Sequence, residues 1–566
     1  MKILDFNVLE KPWIPVLYLD GKRKEVSLKE VLSEAHLIER LDTLNVMEEY
    51  GVYRFLILFM TCVHRPVALK QVIQIAKSGK FDMEKVDEYI KLCESEGVSF
   101  DIFDEKRPFL QNAYSPKYDF PKWKDAPKQE KTIAFIDPSV PHGNNVPHFQ
   151  NVWDKDAKME VSKAVRLLIA YRIFGTAMGG DFPSYITGAP PLYYLFNGKT
   201  LFETVAYSIV VLDVNNRDLP SDKLEIWRNT ADIVPAKLNN DISILQALLF
   251  PTRRILLKKP EADGLIHRCF VKPGLNHKET YLSDPFVVYQ FPPKKKEKKK
   301  KVESEDEDTD VAENTEIDST DDSKESEEVN TYKVSLKPNV EKSLWRHIST
   351  LYASNLMDTK VGGRAGTLDI LKSQYSTLCE KLKNTTVVPL RLYGVVTSQG
   401  SYYDMQYGEY TMDSRIVEHP QLIEEVVARL NEFEMIADSL SKSCFGYIKS
   451  LSKYRKLPKS VLMQEMISFY ADAESEFLDY CTKLAEIKQN DYGLFDDDKL
   501  LALRAEFLDH IIILAKRGFK NFTSYIAHNA KQYLKVCEYQ KKFNSKMESV
   551  KKNIKPTQFA MVDKSA

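Results

Sequence analysis

The spacing of apolar residues changes once along this chain of 566 residues, and the change divides it into two parts. In residues 1–410, runs of β-forming residues with apolar side chains at every second position are mixed with runs whose apolar residues have helical spacing. The run WIPVLYL (13–19), for example, precedes the turn DGK and a second β-rich run, which predicts a hairpin. From residue 411 onwards the spacing is almost wholly helical. We therefore predict an α+β fold, with a large mixed domain over 1–410 and a four-helix bundle over 411–566.

Several helices of the first part have recognisable boundaries. The stretch SLKEVLSEA (27–35) begins with a serine that can cap a helix, followed three residues later by a glutamate, which is the pattern of a capping box. Residues 159–175 have helical periodicity and end at a glycine suited to a C-cap. Residues 245–257 have the pattern of a helix followed by a strand. The apolar run FLILFMTCV (55–63) is too short to span a bilayer and predicts a buried helix.

The second part contains four periodic stretches, which we predict to be the helices of the bundle. The last stretch contains Gly518, and we expect it to break near that residue because glycine destabilises a helix interior. The predicted helices cover 419–440, 442–456, 459–488 and 497–549.

Residues 292–331 interrupt the first part with a segment of low complexity. A lysine block (294–301) precedes residues 303–328, which hold fourteen acidic residues and one lysine. Such a composition buries too little apolar surface to order itself, so we predict a flexible, solvated insertion. A nucleic-acid-binding arm is the alternative for the lysine block, although the adjacent acids partly neutralise it.

The net charge of −1 hides an excess of basic residues in the C-terminal third. Residues 439–464 contain six basic residues and no acidic one, and residues 504–566 contain thirteen basic and five acidic ones. This distribution predicts a surface that binds a polyanion.

No motif in the sequence indicates catalysis, a resident metal or a cofactor. The seven cysteines form no CxxC pair, which argues against a zinc site or a disulfide framework and favours reduced thiols in the cytoplasm. His142 and His148 have loop spacing and no third ligand nearby in sequence. The sequence contains no nucleophile elbow, phosphate-binding loop or HExxH motif, and its N-terminus does not resemble a signal peptide. We therefore expect a binding subunit without enzymatic activity, cofactor or membrane span.

One hairpin pattern stands out because of the residue at its tip. In GVVTSQGSYY (394–403), two β-rich runs flank Ser398, Gln399 and Gly400, which predicts a hairpin with glutamine at the turn. No general base or metal ligand accompanies Gln399 in the sequence. The loop is therefore suited to insertion into another molecule and not to chemistry.

Several stretches, in order along the chain, resemble the CasA family, the large subunit of the type I-E CRISPR surveillance complex Cascade. The resemblance covers nearly the whole chain outside 292–331. It is carried by KPWIPV near the N-terminus, RPFLQ (107–111), GNNVPHF (143–149), the helix 159–175 with the following AMGGDFPSYITGAPPLYYLF, PTRRILL (251–257) and GVVTSQGS.

The resemblance implies that the chain recognises the protospacer-adjacent motif (PAM) of double-stranded DNA, largely from the minor groove. Gln399 would be a wedge below the PAM, where unwinding begins, and Ser398 its flanking contact. Gly179 and Gly180 would belong to a loop whose backbone amides reach the groove, since a Cβ would hold the groove floor away. The family loop often continues with glycine where this chain has Asp181, whose carboxylate is unfavourable near phosphates.

The resemblance also implies a lysine finger after the PTRRILL strand and a loop that contacts CRISPR RNA (crRNA). Lys272 is the nearest match to the finger, although a strict alignment places Gly274 there and Lys278 is a further alternative. The loop 142–158 would contact the 5′ region of crRNA and neighbouring subunits through Asn144, Asn145 and Phe149.

The helical bundle is also implied by the resemblance, and its basic residues would hold DNA phosphates, such as those of the displaced strand. The residues that we expect to make these contacts are Lys449, Lys453, Arg455, Lys516, Arg517 and Lys520.

The implied function is that of a non-catalytic subunit in a crRNA-guided DNA surveillance complex, which senses the PAM, starts R-loop formation and helps to recruit a helicase–nuclease. Its partners would be double-stranded DNA, crRNA, the backbone, small and crRNA 5′-end subunits of Cascade, and the recruited helicase–nuclease. Two alternatives stay open. One is a structural scaffold that packs against crRNA without reading the PAM, and the other is an atypical metal-dependent nuclease.

Overall fold

The N-terminal part of the protein combines strands and helices, and the C-terminal part is helical, as the α+β prediction requires. The predicted insertion 292–331 lies outside the described residues. A computed structural model describes residues 5–112, 130–140, 157–176, 182, 185–186, 189–212, 225–229, 237–238, 242–277, 284–290, 334–339, 343–347, 387–398, 401–413, 415–416, 420–451, 459–487 and 495–552.

The elements are numbered along the chain. The described strands are β1 Ile14–Tyr18, β2 Arg23–Val26, β3 Ile38–Leu41, β4 Lys131–Thr132, β5 Tyr193–Phe196, β6 Lys237–Leu238, β7 Arg253–Leu257, β8 Arg268–Pro273, β9 Asn276–His277, β10 Tyr289–Gln290, β11 Val334–Ser335, β12 Val387–Ser398 and β13 Ser401–Asp413. The described α-helices are α1 Leu28–Ser33, α2 Val46–His64, α3 Leu69–Ser78, α4 Met83–Ser95, α5 Val161–Phe174, α6 Leu201–Ser208, α7 Ile226–Asn229, α8 Ile244–Ala247, α9 Pro420–Ser450, α10 Lys459–Glu486, α11 Asp497–Ile526 and α12 Ala530–Lys552.

Several local predictions are confirmed. The predicted N-terminal hairpin is β1 paired antiparallel with β2, and β3 completes that sheet in the order β2-β1-β3. Ser27 caps α1: its hydroxyl accepts from the Glu30 amide at 3.2 Å, and the Glu30 carboxylate accepts from the Ser27 amide. The helix-then-strand pattern of 245–257 corresponds to α8 and β7.

The core of the N-terminal part is built around α2 and α5. The apolar run 55–63 lies within α2, which is buried along almost its whole length and packs against α5. Gly175 follows α5, as predicted, and a Cβ there would lie 2.7 Å from the Tyr171 carbonyl oxygen. No single helix in the described part of the chain is long and apolar enough to cross a membrane, and α2 with α3 meets that criterion only as a pair bent by 110°.

The sheet β13-β12-β5 contributes to two hydrophobic cores, one on each face. Because successive side chains of a strand point to opposite faces, each strand supplies both cores. The residues in the core around α2 and α5 are Tyr193, Leu195, Tyr393 and Val395. The residues in the core of the helical bundle are Tyr194, Phe196, Leu390 and Leu392.

The C-terminal part consists of α9, α10, α11 and α12, but their boundaries differ from the predicted ones. The helical region starts later than residue 411, because β13 continues to Asp413. The stretches 419–440 and 442–456 are not separate: α9 runs without a break from Pro420 to Ser450. No proline or glycine stands at the predicted boundary to end the helix there.

The predicted break near Gly518 is wrong, because α11 continues through this residue. A Cβ at Gly518 would lie 3.3 Å from Glu465 Oε1 and 3.4 Å from Leu440 Cδ2, so the glycine allows close approach of the neighbouring helices. The chain turns instead between Ile526 and Ala530. There, the Asn529 side chain accepts from the Gln532 amide at 3.0 Å and caps α12.

A buried ionic cluster joins three helices of the bundle. The Glu425 carboxylate on α9 accepts from Arg504 Nε on α11 at 2.6 Å and from the Tyr480 hydroxyl on α10 at 3.0 Å. Arg429 Nε lies 3.3 Å from the same carboxylate, and Arg429 Nη1 lies 2.8 Å from Glu432. Glu425, Arg429 and Arg504 are at most 3% exposed, so the positive and negative charges must compensate one another within the cluster.

Candidate nucleic-acid interface

The predicted hairpin is present and longer than its sequence pattern indicated. β12 and β13 pair antiparallel from Val387↔Asp413 to Ser398↔Ser401, with an irregularity in register between Val396 and Thr397. Gln399 and the side chain of Ser398 lie outside the described residues. Their assignment as wedge and flanking contact therefore stays a prediction, but the strands that carry them are described.

The middle of the hairpin is bound to α2 by a polar cluster. Arg391 Nη1 donates to the Tyr53 hydroxyl at 2.7 Å and lies 3.3 Å from Glu49 Oε1, which also accepts from the Tyr393 hydroxyl at 3.0 Å. Burial raises the pKa of Glu49, against the opposing effect of the Arg391 charge. These contacts resist sliding or tilting of the hairpin on the core, because any shift leaves buried polar groups without partners.

A second contact lies close to the tip of the hairpin. The Tyr402 hydroxyl donates to the Phe174 carbonyl oxygen at 2.6 Å, and Tyr402 is buried. Phe174 is the last residue of α5, and Gly175 and Thr176 separate it from the glycine-rich segment 177–184. Gly179 and Gly180 lie outside the described residues, but the helix that precedes them ends beside Tyr402 of the hairpin.

Arg253 of β7 binds the same end of α5. Its Nη2 donates to the Thr176 carbonyl oxygen at 2.6 Å, and its guanidinium lies 5.1 Å from the ring centre of Phe182 and 5.8 Å from that of Tyr171. The side chain of Arg172 holds β7 in turn, because its Nη1 donates to the Arg253 carbonyl oxygen at 3.1 Å. Burial lowers the pKa of Arg172 to about 9.

Tyr185, beyond the glycines, is bound by a second buried arginine. Arg54 Nη2 donates to the Tyr185 hydroxyl at 3.1 Å, and this hydroxyl donates to the Ala247 carbonyl oxygen. Arg54 also pairs with Asp284 and donates from Nε to the Leu248 carbonyl oxygen at 2.6 Å. Desolvation by burial acts to lower the pKa of Arg54, but Asp284, together with Tyr185 and Tyr50, holds this pKa well above its usual value.

Lys272 is described, in β8, where it pairs with Arg254 of β7. Residues opposite one another in an antiparallel pair share a face, so Lys272 lies on the face of Arg254. Arg253, which contacts Thr176, is on the other face of β7. The role of Lys272 as a lysine finger stays a prediction, and its side chain does not share the face that binds the end of α5.

Residues 142–156 of the predicted crRNA loop, including Asn144, Asn145 and Phe149, lie outside the described residues. Its N-terminal flank is described: the Asp137 carboxylate, which is buried, lies 3.2 Å from Lys163 Nζ of α5. Asp137, which precedes the loop in sequence, is therefore held against the same helix that precedes the glycine-rich segment.

The predicted phosphate contacts on the bundle fall into three groups. Lys449 and Lys520 are exposed on α9 and α11. Lys516 lies 3.2 Å from Glu548, and Arg517 pairs with Asp472, so both have an acidic partner within the chain. The remaining two, Lys453 and Arg455, lie outside the described residues.

Sequence reasoning missed the buried groups that hold these segments together. Arg253 appears in the quoted stretch PTRRILL, but only as part of a resemblance, and Tyr402 only as a β-former. The available signal was charge in an apolar context: an arginine within a buried strand or helix is rare unless it is paired. Arg54, in the middle of the apolar pattern of α2, carries the same signal.

Within the described residues, no group of three or more His, Cys, Asp or Glu side chains is arranged to hold a metal ion. The described cysteines are free thiols, and all except the exposed Cys537 are buried. Burial raises the pKa of Cys93 to about 11, so this thiol is a poor nucleophile at neutral pH.

Comparison with known proteins identifies the family. The model of the family described as CRISPR-associated protein Cse1 matches residues 7–511. The chain belongs to the Cse1 family. The resemblance to CasA, the large subunit of type I-E complexes, is thereby confirmed.

Individual relatives of the Cse1 family agree. The CRISPR-associated protein CasA/Cse1 of Thermus thermophilus is 26% identical over 306 residues, which span 51% of this chain and 56% of that relative. The structure of Thermus thermophilus CasA (Cse1) matches with a TM-score of 0.70 at 19% identity, covering 96% of this chain and 99% of that one. A chain of a CRISPR RNA-guided surveillance complex matches with a TM-score of 0.63 at 16% identity, covering 96% of this chain and 99% of that one. The match to Thermus thermophilus CasA (Cse1) shows that the chain has the Cse1 fold.

Proposed function

We propose that this chain is the subunit that reads the PAM and starts strand separation in a crRNA-guided DNA surveillance complex. Membership of the Cse1 family supports this, as does the similar fold of a chain described as part of a CRISPR RNA-guided surveillance complex. The observation that carries the proposal is the hydrogen bond from Tyr402 to Phe174. It couples the strand next to the Gln399 tip to the helix that leads into Gly179 and Gly180.

The coupling matters because reading and opening must occur at adjacent positions on the duplex. The glycine-rich segment reads the minor groove with its backbone, and Gln399 enters the base stack immediately below. A flat amide can stack on a base pair and hydrogen-bond a displaced base edge. Separating one DNA step costs about 1.4 kcal/mol of stacking, so a wedge held in place needs to supply only a few kcal/mol to begin unwinding.

The rest of the chain supplies sequence-independent contacts and partners. The basic residues of the bundle hold DNA phosphates, the loop with Asn144, Asn145 and Phe149 contacts crRNA and neighbouring subunits, and a further surface docks the helicase–nuclease that cuts. Pairing of the guide RNA with the target strand supplies the sequence specificity. This chain permits strand separation only beside an accepted PAM, and it catalyses no reaction.

The test is DNA binding by the reconstituted complex, with and without this chain, on targets that differ only in the flanking trinucleotide. We expect discrimination between flanks only when the chain is present. A complex that discriminates equally well without it would leave the chain as a scaffold and overturn the proposal. Metal-dependent cleavage of DNA by the isolated chain would favour the nuclease alternative.

The wedge is tested by Gln399→Ala, with Gln406→Ala as the matched control on the same hairpin. The Gln406 side chain donates to the Asn339 carbonyl oxygen at 3.1 Å, far along β13 from the tip. We expect the first variant to slow R-loop formation on duplex DNA and to bind a target with a preopened bubble normally. Equal behaviour of the two variants on duplex DNA would remove Gln399 from the mechanism.

A further inference from the structure

We propose that two buried arginines, Arg253 and Arg54, are positioning residues that hold the two flanks of the glycine-rich segment 177–184, so that this segment meets the duplex with its ends already fixed. The inference rests on the proposed function, because it concerns how that function obtains its precision. Neither arginine is assigned a contact with DNA, since both side chains are fully buried.

At the first flank, Arg253 holds the chain where it leaves α5. Its Nη2 donates to the Thr176 carbonyl oxygen at 2.6 Å, one residue before the segment begins. The guanidinium lies 5.1 Å from the ring centre of Phe182, a residue within the segment itself. Arg253 thus contacts the residue directly before the segment and Phe182 within it, and it does so from a strand of the β4-β8-β7 sheet.

At the second flank, Arg54 holds Tyr185, the first residue after the segment. Arg54 Nη2 donates to the Tyr185 hydroxyl at 3.1 Å, and the guanidinium is itself fixed by Asp284 and by the Leu248 carbonyl oxygen. Four aromatic rings surround it at 5.8 to 5.9 Å from their centres, those of Tyr50, Tyr185, Tyr193 and Phe286. The charged group is therefore locked in one position by both hydrogen bonds and packing.

Arginine suits this role because its planar group donates several hydrogen bonds in fixed directions, which lysine cannot do. Glycine, in turn, loses more conformational freedom on ordering than any other residue. A segment with adjacent glycines would therefore lose much of its binding free energy on being ordered against DNA, unless its ends are already held. Two fixed flanks reduce that loss.

Two substitutions test the two flanks separately. Arg253→Lys keeps the positive charge but removes the fork that reaches the Thr176 carbonyl. Tyr185→Phe keeps the ring and removes only the hydroxyl that links Arg54 to the Ala247 carbonyl oxygen. The matched controls are Arg429→Lys, in the buried cluster of the bundle, and Tyr89→Phe, whose hydroxyl donates to Glu225 in the N-terminal core.

The readout is the ratio of two affinities of the reconstituted complex, one for a target with an accepted flanking trinucleotide and one for a target with a rejected trinucleotide. Binding to a target with a preopened bubble is measured in parallel. We expect Arg253→Lys to lower this ratio about tenfold, because it removes one buried hydrogen bond from a charged donor. Tyr185→Phe should lower the ratio by a smaller factor. Binding to the preopened target should stay unchanged. The controls should lower thermal stability without changing the ratio.

The outcomes separate this inference from the proposed function. If the wild-type complex shows no flank discrimination, the proposed function fails first. If the wild type discriminates and both Arg253→Lys and Tyr185→Phe do so with the same ratio, the positioning role is refuted while the function stands. If the control variants lower the ratio as much as the test variants, general destabilisation explains the loss and the inference is again refuted.

Discussion

Replacing one carboxylate in the bundle, Glu425→Gln, should destabilise the helices that it joins far more than a surface substitution would. Glu425 lies between Arg504 and Arg429, and it accepts from the Tyr480 hydroxyl as well. With Glu432 on the same helix, the cluster holds two positive and two negative charges. The substitution keeps the shape of the side chain but leaves one positive charge uncompensated.

The magnitude follows from burial. Glu425 is 3% exposed and Arg504 is 3% exposed, so water cannot solvate the charge that remains. Removing one partner of a buried ion pair typically costs 3–5 kcal/mol, and the amide oxygen of glutamine preserves one acceptor, so we expect about 3 kcal/mol. That is a large fraction of the roughly 5–15 kcal/mol by which a domain is stable.

The matched control is Glu465→Gln, which makes the same chemical change on α10. Glu465 is half-buried, and burial raises the pKa of its carboxyl group, so the charged form is already disfavoured there. The amide should leave the stability of the bundle within about 0.5 kcal/mol of the wild type. Because the folded pKa is raised, the wild type should also lose stability as pH rises from the ordinary glutamate pKa through the raised one, and Glu465→Gln should not.

Hydrogen exchange measures the effect where it occurs, in the amides of α9, α10 and α11, and does not require the whole chain to unfold in one step. The free energy of opening in these helices should fall by about 3 kcal/mol in Glu425→Gln. A fall of less than about 1 kcal/mol would show that the ionic cluster is not what holds the helices together, and the reasoning would be refuted. An equal fall in Glu465→Gln would refute it as well.

Three further outcomes are expected. Gln399→Ala should slow R-loop formation, followed by the reactivity of unpaired bases in the target, while assembly of the complex stays normal. Lys449→Ala should reduce the slope of log affinity against log salt by about one. Lys516→Ala should reduce this slope by less, because Glu548 already lies 3.2 Å from Lys516. Titrations with DNA over a range of salt concentrations check both. Burial lowers the pKa of His64 from 6.5 to about 4, so the unfolded chain takes up the proton first and stability should be lost as pH falls below 6.5. The His64→Phe variant should lose less stability than the wild type over that pH interval, as measured by the midpoints of unfolding in urea.

The elements that depend on neighbours in sequence were predictable. The hairpin of β1 and β2, the capping box of Ser27 and Glu30, and the helix that ends before Gly175 each rest on residues a few positions apart. Their patterns therefore indicate the structure directly. The hairpin that leads to Gln399 belongs to the same class, although its strands extend much further than the local pattern indicated.

Helix boundaries in the bundle were predicted less well, because packing decided them. Gly518 has a low helix propensity, yet α11 continues through it where neighbouring side chains come close. The end of α11 could have been found, since Asn529 and Gln532 have the spacing of a helix cap. The predicted division of α9 near residue 441 was wrong: no proline or glycine stands there, and the helix continues without a break.

The sequence by itself determined the composition of the candidate site: a glutamine between two strands, adjacent glycines after a helix, and an excess of basic residues near the C-terminus. Only the tertiary structure decided how these features are arranged. Tyr402 is 228 residues from Phe174, and Arg54 is 230 from Asp284, so no periodicity could pair them. Lys516 and Arg517 likewise meet acidic partners on other helices. A residue's type limits the contacts that it can make, but the partner of a buried or charged group is chosen by the packing of distant segments.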